Sequence, residues 1–222
     1  MKKNEILDLV ERMTIVEAGL INNQTTCWKA HREADKLSDR NLLQILYEIV
    51  NEKEGKDEHA QLLRSRCYYI IGQITKKTFE HQDCEYIFKQ LKNEFKNTDV
   101  LYSLIEVICN WRNDANIFVP PDIDITPLVE IVMNKRGYIK TYAIQALGCC
   151  PRKESRDILR TFLMQEDEKK YKEEIRWSNV ALQHIGELED IPYLERFLKS
   201  RIPNSKITAQ CAIKYIKERN NS

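Results

Sequence analysis

Trp111, Arg112 and Asp114 stand together in the stretch "WRND". An aromatic ring beside a guanidinium and a carboxylate is a set that stacks on a nucleobase and hydrogen-bonds its edge. Trp177 offers a second ring for the same use. Another set is defined by spacing: Arg64, Tyr102, Lys140 and Ser178 follow one another at intervals of 38 residues. On equivalent helices they would form a ladder. With Arg66, Arg112, Arg136 and Arg176 nearby, that ladder would line a basic groove. The competing reading pairs these cations with neighbouring acids. The balance of 35 Lys and Arg against 34 Asp and Glu favours pairing, because phosphate binding needs several uncompensated cations.

The metal and redox chemistry is thin. The histidines are His31, His59, His81 and His184, and the cysteines are Cys27, Cys67, Cys84, Cys109, Cys149, Cys150 and Cys211. There is no CxxC pair. His81 and Cys84 share a helix face, but two ligands do not make a zinc site. No P-loop, nucleophile elbow, HExxH or dinucleotide-binding glycine pattern occurs. No catalytic, cofactor or metal residue is therefore assigned, and an enzyme is the less favoured reading. Scattered free thiols point to a reducing, cytoplasmic setting. The N-terminal "MKKNEILDLVERM" carries charges through its apolar stretch, unlike a signal peptide. No apolar run approaches the roughly 18 residues of a membrane span, so no membrane partner is expected.

The elements that must position these residues are repeated. "CYYIIG", "AIQALG" and "ALQHIG" end on Gly72, Gly148 and Gly186, and Asn110 of "IEVICN" falls midway between the first two. Glycine and asparagine are the residues that most readily end a helix in the left-handed conformation, so four helix ends are expected at one spacing. Counting back one, five and nine positions from each reaches an apolar or small residue every time: Ile71, Cys67 and Leu63 in the first copy, Ile185, Ala181 and Trp177 in the last. Steps of four keep such residues on one stripe. A fifth copy, "CAIKYIK", carries Lys217 where the glycine would be. Each of these helices follows another. "DITPLVEIV" and "DIPYLERFL" align, with Asp124 and Asp190 as N-caps and Pro192 just inside the helix. Ser38 is the expected N-cap of "NLLQILYEIV".

One helical pair cannot bury its apolar face alone, but stacked pairs can. The fold class is thus all-α: an α-solenoid of about five stacked helix-turn-helix repeats in a single domain, 1–222. Residues 1–37 form an N-terminal helical cap and 38–219 the repeats. The charged segments "NEKEGKDEH" and "QEDEKKYKEE" are expected as solvated connections, and "NDANIFVPPDID" as an extended apolar linker.

The second-helix pattern, a small residue, an apolar pair and a terminal glycine after a basic residue ("KTYA", "RSRC"), resembles HEAT repeats, particularly the bacterial HEAT-like group. It departs where Asn110 and Tyr102 replace the glycine and the basic residue. The resemblance implies a curved stack whose second helices line a concave surface, used most often to bind proteins. The leading function is then a binding or scaffold module that presents a groove to a protein or peptide, with Arg64, Tyr102, Lys140, Ser178 and Arg112 lining it. One alternative is a nucleic-acid binder or a HEAT-like DNA glycosylase, with Trp111, Asp114 and Trp177 at a nucleobase site. Another is an inhibitor or immunity-type partner of a single enzyme.

Overall fold

A computed structural model of the chain describes residues 1–53, 55 and 57–221. Glu54 and Lys56, within the first charged segment, and Ser222 lie outside the described residues. The fold is all-α and falls into two compact units, Met1–Asn116 and Ile117–Ser222.

The first unit holds α1 (Lys3–Arg12), α2 (Thr26–Ala34), α3 (Asn41–Glu52), α4 (Glu58–Thr78), α5 (His81–Asn93) and α6 (Thr98–Ala115). The second holds α7 (Thr126–Asn134), α8 (Gly137–Leu147), α9 (Lys153–Leu163), α10 (Lys172–Ile185), α11 (Ile191–Glu195) and α12 (Pro203–Asn220). The pairs α3/α4, α5/α6, α7/α8, α9/α10 and α11/α12 are five successive helical hairpins, preceded by α1 and α2. Second helices pack side by side, α4 on α6 in one unit and α8 on α10 on α12 in the other. Ile6, Leu9, Val10 and Met13 of the N-terminal segment are fully buried. Thr25 caps α2 by accepting the Trp28 amide at 3.2 Å.

The recurring glycines are placed differently from the expectation. Gly72 lies inside α4 and Asn110 inside α6. Gly148 follows α8 with φ −67° and Gly186 follows α10 with φ −68°, so neither is left-handed. What the glycines share is a close neighbour on the next second helix. A Cβ on Gly72 would meet Val107 Cγ2 at 2.9 Å, on Gly148 the Ala181 Cα at 2.7 Å, and on Gly186 the Ile216 Cδ1 at 2.7 Å. The repeat spacing marks a helix-to-helix approach, not a chain reversal. The left-handed turn that ends α6 belongs to Asn116, at φ 56° and ψ 33°.

Two caps are also corrected. The residue before α3 is Arg40, and the Asn41 amide donates to Asp39 Oδ1 at 3.0 Å, so Ser38 is not the cap. Asp190 is fully buried and reaches backwards, accepting the Glu187 amide at 2.7 Å and Arg160 Nε at 2.6 Å. Asp124 does serve the start of α7, accepting the Thr126 amide at 2.9 Å. The apolar linker packs by its own backbone. Val119 N–H donates to the Cys149 carbonyl at 2.8 Å, and Arg152 donates to the carbonyls of Ile123 at 2.7 Å and Pro120 at 2.6 Å.

Candidate functional site

Of the 38-residue ladder, Arg64 and Ser178 are buried, and Tyr102 and Lys140 are part-exposed. Arg64 is buried, and its guanidinium holds Glu94 through Nε at 2.6 Å and Nη2 at 3.1 Å. Its Nη1 donates to the carbonyls of Lys53 at 2.5 Å and Gly55 at 2.9 Å. The side chain ties the α3–α4 connection to the end of α5, and a partner reaching it would have to open a buried ion pair. Ser178 is fully buried in α10. Lys140 lies 3.6 Å from Glu174 and 5.1 Å from the Phe162 ring centroid. Tyr102 and Arg112 are part-exposed. At Arg64 and Lys140 the ladder position reaches the next hairpin, pairing with Glu94 and Glu174.

The nucleobase set loses its ring. Trp111 is 1% exposed. Its indole N–H donates to Thr75 Oγ1 at 2.9 Å and its edge meets Phe79 at 5.3 Å. The ring is enclosed where α6 packs on α4, so no base can stack there. Asp114 pairs with Lys76 at 2.8 Å. Trp177 is different: it is part-exposed on α10, stacked with Tyr142 of α8 at 6.3 Å, with the Arg176 guanidinium 5.1 Å from its ring centroid.

The open faces of the second helices carry residues the ladder misses. In the second unit, Tyr138, Thr141, Tyr142 and Gln145 of α8 are accessible at steps of three and four, and so are Arg176, Trp177, Val180 and His184 of α10. This is an aromatic face with one guanidinium over it. In the first unit, the open stripe of α4 runs through Leu62, Arg66, Tyr69 and Lys76, beside Tyr102, Ser103 and Glu106 of α6. It was legible as the non-apolar complement of the core stripe, but only once the direction of each neighbour is known.

The first-unit face is polar. The Tyr69 hydroxyl donates to Asp35, and the His31 ring meets the Tyr69 ring edge-on at 5.0 Å. Burial pushes the His31 imidazole below its usual range, and its Nδ1 lies 2.8 Å from the Cys27 carbonyl. Burial also raises the Glu106 carboxyl, against the pull of Arg66. Elsewhere in this unit a cavity of about 390 Å³ is lined by Arg40, Leu43, Gln44, Tyr47, Gln82 and Tyr86. Tyr47 and Tyr86 stack at 3.9 Å. Burial pushes the Tyr47 phenol up to about 12, so it stays neutral and is no base near pH 7.

Among the described residues, no group of three or more His, Cys, Asp or Glu is placed to hold a metal ion, and no helix is long and apolar enough to cross a membrane. Helical hairpins repeated in tandem, with second helices packed in rows within each unit, define an all-α repeat protein. No protein-family model matches the sequence, and no curated protein matches it. Among solved structures, the designed armadillo repeat protein YIII(Dq)4CqI is similar, with a TM-score of 0.48 and 15% identity, over 95% of this chain and 99% of that chain.

Proposed function

We propose that the chain is a binding module that captures a protein or peptide on the open face of its second helices. The observation that carries this reading is the aromatic face of α8 and α10, where Tyr142, Trp177 and Arg176 form one contact group. Trp, Tyr and Arg are the side chains that dominate binding energy at interfaces, since each combines a large rigid surface with a polar tip. Tyr138, 50% exposed, extends the group toward the start of α8. Lys140, on α8, is a rim residue in this reading, while Ser178 supports α10 from inside. The burial of Trp111 argues against a nucleobase site. The scattered free thiols fit a reducing compartment such as the cytoplasm.

Selection of peptides from a displayed random library on the whole protein tests the reading. Selected peptides are expected to carry an apolar or aromatic anchor and to lose about tenfold or more in affinity on Trp177→Ala, the range of an interface hot spot. Failure to enrich any sequence, or peptides indifferent to both Trp177→Ala and Tyr142→Ala, would overturn it.

A further inference from the structure

The open face of the second unit does not stop at α10. One side of α12 is laid on α10. Asn179 Nδ2 donates to Thr208 Oγ1 at 3.0 Å and to the Ser205 carbonyl at 3.2 Å. Arg219 donates to the carbonyls of Gln183 at 2.8 Å and Gly186 at 2.6 Å. Ser205, Ala209, Ala212, Ile213 and Ile216 are the buried residues of α12. Away from them Ile207, Cys211 and Tyr215 follow one another at steps of four, on one stripe. Ile207 is 55% exposed, Tyr215 is 47% exposed, and Cys211 is exposed. Counted from the buried Ala212 and Ile216, these three hold the positions that Arg176, Val180 and His184 hold counted from Ala181 and Ile185 on α10. The aromatic face of α8 and α10 therefore continues onto α12 as an apolar strip.

The charges beside the strip decide what covers it. The whole chain is balanced, at 35 Lys and Arg against 34 Asp and Glu, but α8, α10 and α12 together carry seven Lys and Arg against three Glu. Four of the seven lie on α12, whose one acid is Glu218. One residue on an α-helix turns the chain by about 100°. Thr208 follows Ile207 and reaches α10, so Lys206, which precedes Ile207, lies on the side away from α10. Lys217, three turns on, falls on that same side. Lys206 and Lys217 are exposed and make no ion pair among the described residues. Lys214, between them, lies 3.8 Å from Glu218. The apolar strip is thus bordered along its outer edge by cations in excess of acids. A basic partner would meet like charge there. A nucleic acid has the charge but not the aliphatic side chains that would bury Ile207 and Cys211. A second copy docked face to face brings the same lysines. Resting on the reading of the chain as a peptide-binding module, we infer that the partner is an acidic amphipathic segment. Its apolar side chains cover Trp177, Ile207, Cys211 and Tyr215, and its Asp and Glu side chains meet Lys206, Lys214 and Lys217.

Selection on the whole protein from two displayed peptide libraries tests this. The libraries share their apolar positions; the charged positions are restricted to Asp and Glu in one and to Lys and Arg in the other. The acidic library is expected to enrich. Its peptides are expected to lose about tenfold in affinity in a protein carrying Lys206→Glu and Lys217→Glu, mainly through slower association, with a smaller loss at high salt. Both side chains are exposed, so the variant keeps the fold, and Lys206→Arg with Lys217→Arg is expected to retain the affinity. Bound peptide is also expected to slow thiol labelling of Cys211 in the unsubstituted protein. Enrichment of the basic library alone, with binding lost in Trp177→Ala, overturns the inference and leaves the binding module standing. So do acidic peptides that leave Cys211 labelling unchanged. Displacement of the selected peptides by oligothymidylate at equal concentration would show a general polyanion site, and self-association of the protein that Ile207→Ser abolishes would show a second copy as the occupant; either overturns the inference. Enrichment from neither library removes the module reading with it.

Discussion

Arg64 shows how one residue type serves opposite ends. Its fork is saturated by a carboxylate and two carbonyls in the interior of a hairpin joint, and neutralising its partner would strand a buried cation. Glu94→Ala is expected to destabilise the protein by about 3–5 kcal/mol, read from chemical denaturation of the whole chain; a cost below about 1 kcal/mol would mean the pair is solvated. Arg66, two residues on, is part-exposed on the open stripe of α4. Sequence spacing could not separate the two, because a step of two residues on a helix crosses from one neighbour to open face. His31 carries the pH prediction. Its folded value lies below the ordinary 6.5, so the unfolded chain binds its proton first as pH falls. Its contribution to stability is therefore present above pH 6.5 and lost as pH drops from there through the folded value. NMR titration is expected to place its midpoint below 6.5, and His31→Gln to flatten that part of the stability profile. A midpoint above 6.5 would reverse the sign.

At the scale of elements, the glycine spacing was legible and its cause was not. A period of 38 residues correctly marked α4, α8 and α10 as equivalent helices. The inference of left-handed ends failed because a glycine is chosen for missing side-chain volume as often as for backbone freedom, and the neighbour that needs the space lies 35, 33 and 30 residues further on in each case. The two causes predict different mutants. At Gly148 an added Cβ would strike the Ala181 backbone, which cannot rotate away, so Gly148→Ala is expected to cost about 1–3 kcal/mol or more through overpacking. At Gly72 the obstacle is a valine methyl, and the substitution also gains up to about 1 kcal/mol of helix propensity. Gly72→Ala is therefore expected to cost clearly less than Gly148→Ala in thermal denaturation, and the reverse order would refute the close-approach explanation. Arg64 and Ser178 of the ladder are interior for a related reason. Twelve of the 21 residues of α4 are buried, because neighbours cover several of its sides. A polar residue on such a helix faces a neighbour as readily as solvent.

For the whole molecule, repetition and composition were enough to read an all-α chain of five hairpins behind an N-terminal helical segment. The division into two units and the identity of the open faces depend on packing angles that a linear pattern does not encode. The packing has a direct readout in the cysteines. Cys67, Cys84, Cys109, Cys149 and Cys150 are buried, Cys27 is part-exposed and Cys211 exposed; burial also pushes the Cys67 thiol up to about 12, away from the reactive thiolate. Thiol titration of the native protein is expected to label Cys211 first and Cys27 next, with the other five reacting only on unfolding. Rapid native labelling of Cys149 or Cys150 would show that the second unit opens far more easily than its core implies. The binding reading itself is tested most directly by hydrogen exchange of the whole protein with and without a selected peptide. Capture on the aromatic face predicts new protection concentrated in Gly137–Leu147 and Lys172–Ile185; protection confined to α3, α5, α7 and α9, with α8 and α10 unchanged, would contradict it.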